Sequence, residues 1–473
     1  MDLVSRVDDL RERADQALGD RLDSLVLAHH RRRLSRIDKL GVLDAPPGGW
    51  APGEPRDGSA LEVLVDGSAV LPAIAEAVSG ARSHVWLAGW HFSPDIRMGE
   101  GGPTLHELLA EASSRIEVRV LAWAGAPLPL FHPSRKEVRE ARDELTKGTK
   151  IIYALDDRER PMHCHHEKLV IADGEVAFVG GVDLSLLGGD RLDTPSHPAR
   201  GSLGWHDAAA RVRGPAVADV VDHFALRWRD VTGEALPVTA QPPRAGDLAV
   251  QLVRTVPEHV YPSLHGGDFR IAESYLRALR SAERLIYLES QFLWSPELVS
   301  VLADKLRSPP GDDFRLVVLL PSHPKNGQED TRGQLGVLAQ ADVDGGGDRF
   351  LACTLRQPGP GSRQVYVHAK IGIVDDRWFT IGSANLNEHS LFNDTEVNLV
   401  CQDEGLARAV RLRLWSEHLE CDPSELEGDA VRIVDERWRP VAEEDHGRLR
   451  LLPHISRRTK GVLGPLNGFL VDG

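Results

Sequence analysis

The 473-residue sequence predicts a layered α/β protein in which one domain occurs twice. Three observations predict it. Strand-like and helix-like segments alternate along the chain. A His-x-Lys-x4-Asp motif occurs at His166, Lys168 and Asp173 and again at His368, Lys370 and Asp375, an offset of 202 (368 − 166). A second pair of segments, residues 81–87 and 282–288, repeats at an offset of 201. Solenoid repeats have periods of roughly 20–50 residues, so a repeat of this length reads as a duplicated domain.

Residues 1–40 read as a helix, because Leu3, Val7, Leu10, Ala14, Leu18, Leu22 and Leu25 recur at spacings of three and four. A basic run follows at His29, His30, Arg31, Arg32, Arg33, Arg36 and Lys39. Such a run can meet anionic headgroups. Charge runs more often belong to a helix packed on the body with one face in water, and that reading is favoured. Residues 45–53, rich in Pro and Gly, form a connector. Strands are expected at 61–65, 85–90 and 118–123, and helices at 69–81 and near 104–113. Pro237, Pro242, Pro243 and Gly246 mark a linker over 231–247. The expected division is a helical segment and connector (1–58), a first domain (59–236), a second domain (248–425) and a tail (426–473).

A 41% hydrophobic and 27% charged composition is that of a soluble globular protein. The net charge of −15 argues against a general nucleic-acid binder. Cys164, Cys353, Cys401 and Cys421 lack CxxC spacing, so neither a disulfide framework nor a zinc module is indicated. The first residues lack a secretory pattern, and no apolar run approaches ~18 residues. A cytoplasmic protein with peripheral membrane contact is expected.

The paired motifs carry the chemistry. In extended backbone a His and a Lys two residues apart point the same way, so each copy offers an imidazole and an ammonium to one space. Attack on a phosphodiester needs a nucleophile, a proton for the leaving alkoxide and cations around the non-bridging oxygens. Two imidazoles can divide the first two duties, and Lys168 and Lys370 supply the third. Gly180 pairs with Gly382 and Asp183 with Asn385 at the same offset. A carboxylate follows each motif at similar distance: Asp193 lies 27 residues past His166 and Glu396 lies 28 past His368. Carboxylates so placed are expected to fix the imidazole tautomers.

These residues resemble the phospholipase D superfamily. The likeness rests on both HxKx4D motifs, on Gly180-Gly181-Val182-Asp183 and Gly382-Ser383-Ala384-Asn385, and on the block from Ile286 to Phe292. The block Arg191–Thr194, the run Trp205-His206-Asp207, Gly214-Pro215-Ala216 and the stretch Leu414–Leu419 extend it over roughly residues 60–420. Ser290 stands where that family has Asn, and Leu391–Glu396 departs from its usual block. The resemblance implies two αβα halves related by a pseudo-twofold, with His166 as nucleophile and His368 as general acid. It implies that Lys168, Lys370 and Asn385 bind phosphate, with Asp183 as the first-half counterpart of Asn385. Asp193 and Glu396 would orient the histidines, and Asp173 and Asp375, the last members of the motifs, would stabilise turns. It implies no metal and no cofactor, and a monomer acting on phospholipid at a membrane surface with water or an alcohol as acceptor. Cardiolipin-synthase-like transfer and nucleic-acid cleavage are the alternatives, the second disfavoured by charge.

Bland readings compete at three places. His163, Cys164, His165 and His166 alternate faces and are not expected to converge on a metal. Trp90, Trp123, Phe292 and Trp294 fit a substrate pocket or plain core equally well. The run Trp205-His206-Asp207 reads as a structural block.

Overall fold

The computed structural model describes residues 3–127, 132–160, 163–187, 192–198, 203–237, 240–324, 328–359, 363–444, 447–452 and 455. Arg191 of the quoted block and the tail beyond Ile455 lie outside them. The first half contains β1 (Arg56–Val65), β2 (His84–Gly89), β3 (Glu117–Trp123), β4 (Ile152–Asp156), β5 (Leu169–Ala172), β6 (Val176–Gly180), β7 (Gly204–His206) and β8 (Ala208–Arg213). The second contains β9 (Leu248–Val256), β10 (Asp268–Phe269), β11 (Leu285–Glu289), β12 (Arg315–Leu319), β13 (Phe350–Arg356), β14 (Gln364–Val367), β15 (Ile371–Val374), β16 (Trp378–Gly382), β17 (Glu396–Cys401) and β18 (Leu449–Leu451). Helices are α1 (Leu3–Arg36), α2 (Gly67–Gly80), α3 (Leu105–Arg115), α4 (Arg135–Thr146), α5 (Val217–Thr232), α6 (Arg270–Ser281), α7 (Pro296–Arg307), α8 (Gln328–Asp344) and α9 (Glu404–Leu419).

The duplication is visible in the strand order. The first sheet runs β4-β3-β2-β5-β6-β8-β1, and the second runs β13-β12-β11-β15-β16-β17-β9. In each, the first three strands are parallel and the rest antiparallel. β1 pairs with β9, so the two sheets join at equivalent edges. The β2–β3 and β11–β12 crossovers are helical, as parallel neighbours require. Capping boxes at Thr104–Glu107 and Ser134–Glu137 start α3 and α4, and Gly233, at φ 80°, ends α5 in the left-handed region.

Alternation on the strands sorts the core into layers. Leu169, Ile171, Ile371 and Ile373 face a shared central core with α5 and α9, where Phe224, Trp228 and Trp415 are fully enclosed. Each such side chain contributes roughly 1.5–3 kcal/mol by burial. Val170 and Ala172 face the outer layer of the first half with α2 and α3, and Val374 faces that of the second with α6 and α7.

The terminal segments pack into the body. Leu34, Val42, Leu43 and Ala51 are part of the second half's outer core. Trp438 and Leu449 enter the central core, and β18 pairs with β13. Two members of the basic run are packed away: His30 Nδ1 lies 2.6 Å from Glu297, and Arg33 bonds Glu258 in a buried pair, while Arg31, Arg32, Arg36 and Lys39 stay exposed. Trp90 stacks on Trp123 around Cys164, and Phe292 stacks on Trp294, all buried. No described helix is long and apolar enough to cross a membrane.

Candidate active site

The two motifs sit in the extended stretches that enter β5 and β15, one step before the strands on which the alternation placed them. Their backbones are instead tied to the opposite half. His165 bridges Thr395, and the His166 and Glu167 amides donate to the Thr395 carbonyl at 3.0 and 3.1 Å. By the same pattern β14 runs beside β7, and the His368 and Ala369 amides donate to the His206 carbonyl at 2.7 and 3.2 Å. Each motif is therefore positioned by the residue preceding a carboxylate of the other half.

Those carboxylates hold the imidazoles. His166 Nδ1 lies 2.9 Å from Glu396 Oε1, and His368 Nδ1 lies 2.7 Å from Asp207 Oδ2, all four side chains being buried. A ring that donates Nδ1–H to a carboxylate keeps Nε2 for chemistry. Glu396 also accepts hydroxyl hydrogens from Ser390, at 2.6 Å, and from Ser383. Lys168 Nζ donates to the His166 carbonyl at 2.6 Å, and Lys370 donates to the His368 carbonyl, so each ammonium curls back over its own motif.

Asp193 is a correction. It accepts from the Trp205 and Thr194 amides at 2.7 and 2.8 Å and pairs with His197 at 3.1 Å; Asp207 takes the role expected of it. Counting from the motif failed because the first half carries a longer connection. Asp207 follows His166 by 41 residues, against 28 from His368 to Glu396. A signal was present: Asp207 directly precedes the apolar run of β8, as Glu396 opens that of β17. Ser383 and Ser390 were also missed, and nothing in their spacing marks them.

Asp173 and Asp375, the last members of the motifs, hold backbone amides at turns. Asp173 accepts from the amides of Arg82, Ser83 and His84, and Asp375 from those of Glu283, Arg284 and Leu285. Both have positive φ, 56° and 53°, which Asp tolerates better than most residues. Asp183 lies 3.3 Å from Lys168 Nζ. A carboxylate at that distance can orient the ammonium. Asn385, its neutral counterpart, donates to Gln291 at 3.4 Å, and Gln291 donates to Tyr366. The ring of Trp205, stacked on Tyr366, lies 5.1 Å from that of His368.

The halves meet electrostatically at Lys370. Burial pushes its ammonium down to about 8, against the pull of Asp207, Asp183 and Glu396 and with the push of Lys168. The cation is present below that pH and lost above it. kcat/KM, which reports the free enzyme, is therefore expected to fall about tenfold per pH unit above the Lys370 value. Arginine does not deprotonate in this range, so Lys370→Arg should remove the limb from a kcat/KM–pH profile. An unchanged limb in the variant would assign it to another group.

Residues 275–416 match the family model described as "Cardiolipin synthase, PLD-like domain". Phospholipase D A of Dictyostelium discoideum is 26% identical over 77% of this chain and 36% of its own length. Phospholipase D1 of Schizosaccharomyces pombe is 23% identical over 82% and 37%, and phospholipase D gamma 2 of Arabidopsis thaliana is 23% identical over 79% and 64%. The chain thus spans between about a third and two thirds of these relatives. Among solved structures, phosphatidylserine synthase of Haemophilus influenzae Rd KW20 shares the fold, with a TM-score of 0.52 and 11% identity over 86% of this chain and 97% of that one. The matched model lies in the second half, and the first half repeats its strand order and its motif. Along most of its length the chain is thus similar to proteins named phospholipase D, and within residues 275–416 it matches the PLD-like family model.

Proposed function

We propose that the protein is a phospholipase D-type phosphodiesterase that hydrolyses or transfers the headgroup of glycerophospholipids through a phosphohistidine. The observation that carries it is the crossed pairing: each motif histidine is fixed through Nδ1 by a carboxylate of the opposite half, beside its own buried lysine. This supports a division of labour within one symmetric site.

In the first step His166 Nε2 attacks phosphorus, the P–N bond forms, and the P–O bond to the headgroup breaks. His368 gives its Nε2 proton to the departing alkoxide. In the second step His368, now neutral, takes a proton from water or an alcohol. That oxygen attacks phosphorus and releases His166. Glu396 and Asp207 stabilise the imidazolium on whichever ring carries the extra charge. Lys168 and Lys370, with the Asn385 amide, face the non-bridging oxygens, where negative charge develops. The names of the relatives favour a phospholipid as the diester, and the net charge of −15 disfavours nucleic acid.

Purified protein should release choline from phosphatidylcholine vesicles. With ethanol present it should form phosphatidylethanol at the expense of phosphatidate, because one covalent intermediate serves both acceptors. Cleavage of DNA with every phospholipid class left intact would overturn the lipid reading. Headgroup release with no phosphatidylethanol would overturn the shared intermediate.

A further inference from the structure

Beside Asp207 in the chain lies a group of buried side chains that the reaction does not use. Asp66, His197, His206 and Glu417 bring one ligand-capable atom each to within 4.8 Å of one another, and all four are buried. His206 Nδ1 lies 3.2 Å from both Asp66 Oδ1 and Glu417 Oε1; His197 Nε2 lies 3.2 Å from Glu417 Oε1 and 3.9 Å from Asp66 Oδ2. Ligands about 2.0–2.2 Å from a common tetrahedral centre are separated by about 3.3–3.6 Å, and the three 3.2 Å edges come close to that spacing.

The outward nitrogens give a second, independent observation. His206 Nε2 lies 3.0 Å from Glu289 Oε2, and His197 Nδ1 lies 3.1 Å from Asp193 Oδ2. A neutral ring that donates to a carboxylate on one side presents a lone pair on the other, which is how metal-bound histidines are oriented. Here both lone pairs would face carboxylate oxygens in a buried space. His206 Nδ1 and Asp66 Oδ2, moreover, have no hydrogen bond among the described residues. Arg413 reaches only the other oxygen of Glu417, at 3.6 Å. A divalent cation would balance the two carboxylates and accept both lone pairs.

We propose that Asp66, His197, His206 and Glu417 bind one divalent transition-metal cation, zinc by its two-imidazole, two-carboxylate donor set. The ion has a structural place and takes no part in the phosphoryl chemistry. Its ligand His206 supplies the carbonyl that receives the His368 amide, and its ligand Asp66 accepts from the Asp207 amide at 3.0 Å. Binding thus fixes the Asp207–His368 pair. It also gives Asp193 a role, as the carboxylate behind His197.

The test uses the full chain without a histidine tag, grown with zinc, dialysed and assayed by inductively coupled plasma mass spectrometry. About one zinc per chain is expected, falling below about a tenth in the Asp66→Asn, His197→Gln double variant. Cobalt exchanged into the wild type should give the intense visible bands of a tetrahedral site, a readout that needs no variant. His163→Ala guards against the separate cluster of His163, His389 and Asp394 and should keep the ion; the group His206, Glu289 and His418 shares His206, and the double variant leaves it intact. Wild-type protein without zinc after incubation in excess metal would overturn the proposal, leaving protons to balance the cluster. So would an ion lost with His163→Ala and kept by the double variant.

Discussion

His166→Ala is expected to lower turnover about 10⁶-fold, the scale of losing a catalytic nucleophile, whereas His368→Ala is expected to lose about 10²–10⁴-fold, the scale of a general acid. The geometry around the two rings is nearly symmetric, so size alone does not separate their roles. Leaving-group chemistry does. A phosphatidyl ester of an activated phenol departs without a proton, so the His368 variant should regain most of its first step on that substrate. The His166 variant has no atom with which to attack and should regain nothing. His368 is also the base that activates water in the second step. The His368 variant should therefore accumulate an acid-labile phosphohistidine on His166, detected by quenching with phosphorus-labelled substrate. Recovery by the His166 variant, with label on His368, would reverse the assignment.

Much of this site was legible because the duplication leaves its mark twice. The offset of 202 carried His166, Lys168, His368 and Lys370 to their places, since the β5–β6 and β15–β16 hairpins are equal in length in both halves. Beyond them the halves diverge. The longer first-half connection moved the carboxylate from the expected Asp193 to Asp207, and a count along the chain cannot detect an insertion in only one copy. Asp207 stands in the run Trp205-His206-Asp207, which by sequence reads as a structural block. The missing step was that the partner of such a residue lies in the other half. The layers were legible from strand alternation and helical spacing. The place of α1 was not: Leu18 and Leu25, on the stripe that periodicity marks, stay exposed, and Leu34 near the helix end packs into the core instead.

Asp207→Asn is the sharpest test of that correction. The amide keeps the size of the carboxylate but carries no charge, and it can hold the imidazole in the wrong tautomer. Loss of an orienting carboxylate in this way costs about 10³–10⁴-fold in kcat with little change in KM. Asp193→Asn should show no such loss per folded molecule, because the contacts of Asp193 are with His197 and the Trp205 and Thr194 amides. Steady-state kinetics normalised to the folded fraction separate the two. A large kcat loss in the Asp193 variant beside a near-normal Asp207 variant would restore the residue that spacing selected. Gly181 offers an independent route to the same bond. A Cβ there would sit 2.1 Å from Asp207 Oδ1, so Gly181→Ala must displace the carboxylate and should reproduce much of the Asp207→Asn loss. Its counterpart at offset 202 is Ser383, whose hydroxyl donates to Glu396. The two halves thus solve one problem differently: a glycine makes room for the shorter acid, and a serine hydroxyl helps to hold the longer one.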